Sequence, residues 1–279
     1  MGRPDTAMND HLVKPGSKVK LDKIDADETC DYSANKDGKA KAQARTDALN
    51  ETLAVLQERL YANGSRALLV VLQGMDSAGK DGTIKHVMSG VNPLGCRVAV
   101  FKAPSTKELS HDFLWRVHAE VPPKGHIGLF NRSHYEDVVI TRVHGLISDK
   151  IATKRFAHIN DFERLLHDNG TTILKYYLHI SKDEQRKRLE ARIRDPEKRW
   201  KFNPSDIAER KLWDDYMKAY EDAISATSTN DAPWHIIPAN RKWYRNVVVA
   251  ETIVAALKAM NLPLPPGPRG VDFKKLEID

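Results

Sequence analysis

Ala67-Leu68-Leu69-Val70-Val71-Leu72-Gln73-Gly74-Met75-Asp76-Ser77-Ala78-Gly79-Lys80 is the stretch on which the fold turns. Its first seven residues make a continuous apolar run. That run is too short for a helix and suits a strand buried on both faces, as in a parallel sheet. Residues 74–80 then carry the GxxxxGK spacing of a phosphate-binding loop, and Ile84, Val87 and Met88 mark a helix behind it. The chemistry needs strand, glycine loop and helix in that order. Glycines let successive backbone N–H groups converge on phosphate oxygens, the helix N-terminus adds a positive field, and Lys80 adds a point charge. The candidate phosphate-binding residues here are Gly74, Ala78, Gly79, Lys80, Asp81 and Gly82.

Two carboxylates interrupt this pattern. Asp81 stands where a Ser or Thr usually follows the lysine, and Asp76 lies inside the loop. Carboxylates in a phosphate cradle repel the ligand unless a divalent cation stands between them. The sequence therefore implies Mg²⁺, with Mn²⁺ as a substitute, held by Asp76 and secondarily Asp81. Asp81 also suits a helix start on dipole grounds alone.

Working outward, the same alternation recurs on both sides. Leu49, Leu53, Leu56 and Leu60 predict a helix that ends at Asn63-Gly64. Val98–Phe101, Ile127–Phe130, Thr172–Ile180 and Trp234–Ile237 predict four further strands. Helices are predicted around Phe113–Val117, Phe156–Leu166, from Ser181 onward, and over Val247–Met260. Strands alternating with helices imply an α/β domain with a five-stranded parallel sheet covered on both faces. The expected organisation is a polar, extended N-terminal arm over 1–44, one domain over 45–262, and a proline-rich tail over 263–279.

The third predicted strand delivers Asn131-Arg132-Ser133-His134-Tyr135-Glu136-Asp137 to the sheet end where ligands bind in open α/β folds. Asn131 stands where an acidic metal partner is usual, and Glu136 and Asp137 are placed to restore the charge. Asn131, Glu136 and Asp137 are thus the candidate nucleotide-side residues, and Arg132 a phosphate ligand. Further on, residues 182–211 hold eleven Lys/Arg against seven Asp/Glu, broken by Asp195-Pro196. This reads as a basic lid. Arg188 and Arg192, four apart on one helix face, are its candidate phosphate clamps.

The whole chain has 279 residues, 41% hydrophobic and 29% charged, with a net charge of +6. That composition excludes wholesale disorder, and a mild basic excess suits an anionic partner. There is no apolar run of membrane-spanning length and no apolar N-terminal segment of the secretory kind. Cys30 and Cys96 are the only cysteines. These features predict a cytoplasmic protein without a membrane partner. No basic patch is interleaved with aromatics, so no nucleic-acid partner is expected.

Gly74–Gly82, the Phe130–Val138 segment, Trp200-Lys201-Phe202, Ala232-Pro233-Trp234 and Lys242-Trp243-Tyr244 together resemble the polyphosphate kinase 2 family, in order, over about residues 45–262. The resemblance implies a three-layer, thymidylate-kinase-like P-loop kinase fold with a helical lid. It implies phosphoryl transfer between inorganic polyphosphate and nucleotides with Mg²⁺, and assembly as a homodimer or homotetramer. The common branch has an aspartate at the position of Asn131. Asn131 with Glu136-Asp137 instead resembles the class III branch, which accepts both AMP and ADP and yields ATP. The family's catalytic roles carry over to Asp76 (metal), Lys80 and Arg132 (phosphate), Glu136 (the missing carboxylate) and a lid arginine. An ATP-dependent nucleoside-monophosphate kinase, or a non-catalytic polyphosphate-binding protein, would share much of this pattern.

Overall fold

The structure, a computed structural model, describes residues 10–269 together with 271, 273, 275 and 276. The first nine residues of the arm and the rest of the tail lie outside the described residues.

Five strands form one sheet: β1 (Ala67–Gln73), β2 (Cys96–Val100), β3 (Ile127–Asn131), β4 (Thr171–His179) and β5 (Trp234–Pro238). Their order is β2-β3-β1-β4-β5, and every pairing is parallel. All seven residues of β1 are buried, as its apolar run requires for a central strand covered on both faces. The principal helices are α1 (Lys36–Asn63), α2 (Lys80–Val87), α3 (Asp149–Asp168), α4 (Lys182–Arg194), α5 (Ser205–Lys211), α6 (Trp213–Thr227) and α7 (Lys242–Ala259). α7 packs on α1 and α2, while α3 packs on β4 and α6 on α3. Among the described residues no helix is long and apolar enough to cross a membrane.

The connections out of β1 and β3 reach opposite sides of the central strand. That reversal opens a crevice beyond the carboxyl ends of β1, β3 and β4, where α/β sheets bind ligands. Register then fixes what meets there. Leu72 pairs with Asn131 on one side and Tyr176 on the other, so the residues after β3 lie directly against the loop after β1.

The expected N-terminal arm needs correction. α1 begins at Lys36, not near residue 45, because Asn35 accepts from the Gly38 amide at 3.0 Å and caps it. Gly38 lies in the first turn of α1, where a Cβ would meet the Ser33 carbonyl oxygen at 1.9 Å. Upstream, the described part of the arm packs against the domain. Leu12 bridges antiparallel to His235, and Val13 N donates to the Trp234 carbonyl at 2.8 Å. Val13, Val19 and Leu21 join the core. The arm covers the open edge of β5, an edge that would otherwise present unpaired N–H and C=O groups.

Candidate active site

The turn from β1 to α2 is strained in the way a phosphate cradle requires. Gly74 and Gly79 have φ of 148° and 104°, and Ser77 has φ of 67°. A Cβ on Gly74 would meet the Leu178 carbonyl oxygen at 2.8 Å. Lys80, at the start of α2, is buried. Its ammonium donates to the carbonyls of Gly74 (2.7 Å) and Met75 (3.3 Å), leaving one of its three donors for an anion. Burial pulls its pKa below the usual lysine value, as does Arg132; Asp76, Glu136 and Asp81 oppose the shift. The Ala78 amide is taken by the Met75 carbonyl at 3.0 Å, so that residue does not offer a free N–H.

Beside the loop, β3 ends in Asn131 and the chain turns sharply at Arg132, φ 63°. The Arg132 amide still bonds the Leu72 carbonyl at 3.1 Å, which holds its side chain over the loop. Its guanidinium donates to Asp76 Oδ1 at 2.8 Å and lies 3.8 Å from Glu136 Oε2. Asn131 Nδ2 donates to Asp81 Oδ1 at 2.6 Å. Burial raises the pKa of Glu136, against the opposing charges of Arg132 and Lys80 and a bond from Gln73. Asp76, Lys80, Arg132 and Glu136 therefore converge, and Asn131 and Asp81 adjoin them.

The turn carrying Arg132 and Glu136 has a buried anchor that sequence reasoning did not find. Glu163 on α3 accepts from Tyr135 Oη at 2.8 Å and lies 3.1 Å from His134 Nε2. Lys175 on β4 donates to Glu163 Oε2 (2.5 Å), Tyr135 Oη (2.8 Å) and the Thr227 carbonyl (2.7 Å). Although burial pushes the Glu163 carboxyl up, Lys175 and His134 hold it below the usual range. A sequence signal existed: Glu163 falls on the apolar stripe of α3, and Lys175 in the middle of a strand that is buried at every position but Thr172.

Four expected residues take other roles. Asp137 turns from Arg132 toward Arg116, 3.6 Å away, and its carbonyl accepts from Arg155 at 2.7 Å. One helical turn cannot aim adjacent side chains at the same crevice. Arg188 is not a free clamp. Its five donors go to Glu184 Oε1 (2.7 Å) and to the carbonyls of Ser77 (3.0 Å), Ala78 (2.9 Å), Ala239 (2.6 Å) and Asn240 (2.9 Å). It pins α4 to the outer side of the phosphate loop, as Gln185 does by donating to the Asp76 carbonyl at 3.0 Å. Arg192 lies 3.7 Å from Asp206 of α5, a carboxylate raised by burial and by the charge of Asp76. Gly82 lies in the first turn of α2, where a Cβ would sit 3.6 Å from Arg245.

A divalent cation fits this arrangement by its donor set. Asp76 and Asp81 offer carboxylate oxygens on the two arms of the loop, and Ser77 Oγ is buried without a hydrogen-bond partner. Among the described residues no group of three or more His, Cys, Asp or Glu side chains forms a metal cage. The two carboxylates suit Mg²⁺, which takes one or two and completes its shell with water and phosphate oxygens.

The profile of the family described as Polyphosphate kinase 2 matches residues 36–265, beginning where α1 begins. The AMP/ADP-polyphosphate phosphotransferase of Meiothermus ruber is 52% identical over 258 residues, covering 92% of this chain and 96% of that protein. The ADP-polyphosphate phosphotransferase of Rhodopseudomonas palustris is 48% identical over 227 residues, covering 77% and 78%. A crystal structure of Polyphosphate Kinase 2 from Arthrobacter aurescens TC1 superposes with a TM-score of 0.92 at 44% identity, covering 97% of this chain and 95% of that one.

Proposed function

The chain belongs to the polyphosphate kinase 2 family, and from that premise we propose that it transfers phosphoryl groups from inorganic polyphosphate to AMP and ADP, giving ADP and ATP. The observation that carries this reading is the meeting of the phosphate loop with Arg132 and Glu136 at the crevice of the sheet. A terminal phosphate oxygen of the acceptor attacks the terminal phosphorus of the polymer. The bond from that phosphorus to its bridging oxygen breaks, and the polymer leaves one unit shorter. The acceptor oxygen is ionised at neutral pH, so no general base is needed. In keeping with this, His134 is buried behind the turn against Glu163.

The barrier then lies in alignment and in the charge on the transferred group. Lys80 and Arg132 hold the oxygens of that group in place and stabilise the charge as it spreads. Asp76 and Asp81 would hold Mg²⁺, which supplies charge neutralisation between two anionic substrates. Asn131 orients Asp81 and contributes no charge of its own. Glu136 supplies the carboxylate that Asn131 lacks, and this supports acceptance of AMP as well as ADP. The same reading has the enzyme act in the cytoplasm as a homo-oligomer, without nucleic acid or membrane partners.

Incubation with AMP, Mg²⁺ and polyphosphate, in the absence of ATP, tests the proposal directly. ADP followed by ATP is the expected product series. Phosphorylation of AMP only when ATP is the donor would replace it with an ordinary nucleoside-monophosphate kinase.

A further inference from the structure

Behind the phosphate loop, on the side its carbonyls face, two guanidinium groups meet at Ala78. Arg188 reaches the Ala78 carbonyl from α4 at 2.9 Å and Arg245 reaches it from α7 at 3.2 Å. Arg188 has Glu184 as its counter-ion at 2.7 Å. Arg245 has none among the described residues. It is 1% exposed, and its other bonds go to Asn246 Oδ1, from Nε at 3.2 Å and Nη2 at 2.8 Å. Burial and the neighbouring Arg188 push its pKa down to about 9. A buried charge without a counter-ion is costly, and an apolar side chain would pack there at less expense.

The place where a counter-ion can sit is across the loop. Arg245 Nη1 would lie 2.1 Å from a Cβ on Gly79, so the guanidinium abuts the N-terminus of α2, whose N–H groups face the cradle. We propose that Arg245 is a positioning residue that acts through the loop: it holds the Ala78 carbonyl and supplies, from behind, positive charge whose counter-ion is the phosphate chain seated in the cradle. This rests on reading residues 74–80 as the site of a polyphosphate anion. It explains why α7, whose buried residues are otherwise mostly apolar, carries an arginine at this position.

Binding of inorganic tripolyphosphate with Mg²⁺, measured by calorimetry, tests the proposal on wild type, Arg245→Met, Arg245→Gln and Arg245→Lys, with thermal melting of each in the absence of ligand. The two neutral variants should melt at or above the wild-type temperature, yet bind tripolyphosphate about tenfold more weakly or worse. Arg245→Lys should keep most of the affinity. In turnover the loss should fall on KM for polyphosphate more than on kcat. Neutral variants that fold and bind within twofold of wild type would overturn the proposal. So would neutral variants that fail to fold, or an Arg245→Lys variant as weak as Arg245→Met, because each marks a purely structural residue. If wild type itself does not bind tripolyphosphate, the phosphate-loop reading fails first, which distinguishes the two.

Discussion

Replacing Lys175 by Met removes the ammonium that is ion-paired with Glu163 in the interior. Both side chains are essentially unexposed, at 0% and 2%. The ammonium makes three hydrogen bonds, to Glu163, Tyr135 and the Thr227 carbonyl, and methionine makes none. Breaking one side of a buried pair leaves an uncompensated charge and costs about 3–5 kcal/mol. For a chain of this size that corresponds to a fall in melting temperature of roughly 10 °C. The compensating variant Lys175→Met/Glu163→Leu removes both charges together. Tyr135 Oη then keeps Thr227 Oγ1 as a partner at 3.1 Å, and most of the loss should be recovered, to within about 1–2 kcal/mol of wild type. Thermal and denaturant unfolding of the four members of this cycle measures the coupling. Because the same groups anchor the turn bearing Arg132 and Glu136, Lys175→Met should also lose turnover well below its melting temperature. A double variant no more stable than Lys175→Met would refute the reasoning, as would a single variant within 1 kcal/mol, or about that, of wild type.

Lys80→Ala should reduce turnover by about 10²–10³-fold while the circular dichroism spectrum stays native, since one anion-stabilising donor is lost and no apolar core residue is altered. Asp76→Asn keeps the shape and removes the charge; activity should fall sharply and recover in part as Mg²⁺ is raised, with Asp81→Asn showing the smaller effect in the same titration. Glu136→Gln should depress kcat/KM for AMP more than for ADP, because the shorter acceptor must sit deeper against this wall, and equal losses would reject that role. Burial raises the Glu136 pKa, so wild-type activity should begin to fall above the ordinary carboxylate range as the pH is lowered. In Glu136→Gln that acid limb should move to lower pH.

What the sequence determined by itself is local or periodic. The apolar run before Gly74 specified a central strand, because a strand covered on both faces has no polar phase to display. The glycines at 74 and 79 specified positive φ, and the lysine after them specified where an anion would sit. The order of strands and helices then left few topologies, and Asp76, Lys80, Arg132 and Glu136 were legible as a group because each lies within a few residues of a strand end. What only the tertiary structure decided depends on partners far away in the chain. Arg188 and Arg192 share a helix face, yet one pins the loop carbonyls and the other pairs with Asp206, because α5 returns to the crevice only in the folded chain. Glu136 and Asp137 are adjacent, and a turn anchored by Glu163 and Lys175 sends one toward Arg132 and the other toward Arg116. The arm between residues 10 and 35 lacks periodicity, and the edge of β5 together with Glu221 and Ser225 of α6 gives it structure. Hydrogen-bond donors and charges are satisfied by whatever the fold brings near them, and sequence spacing carries no record of a neighbour two hundred residues away.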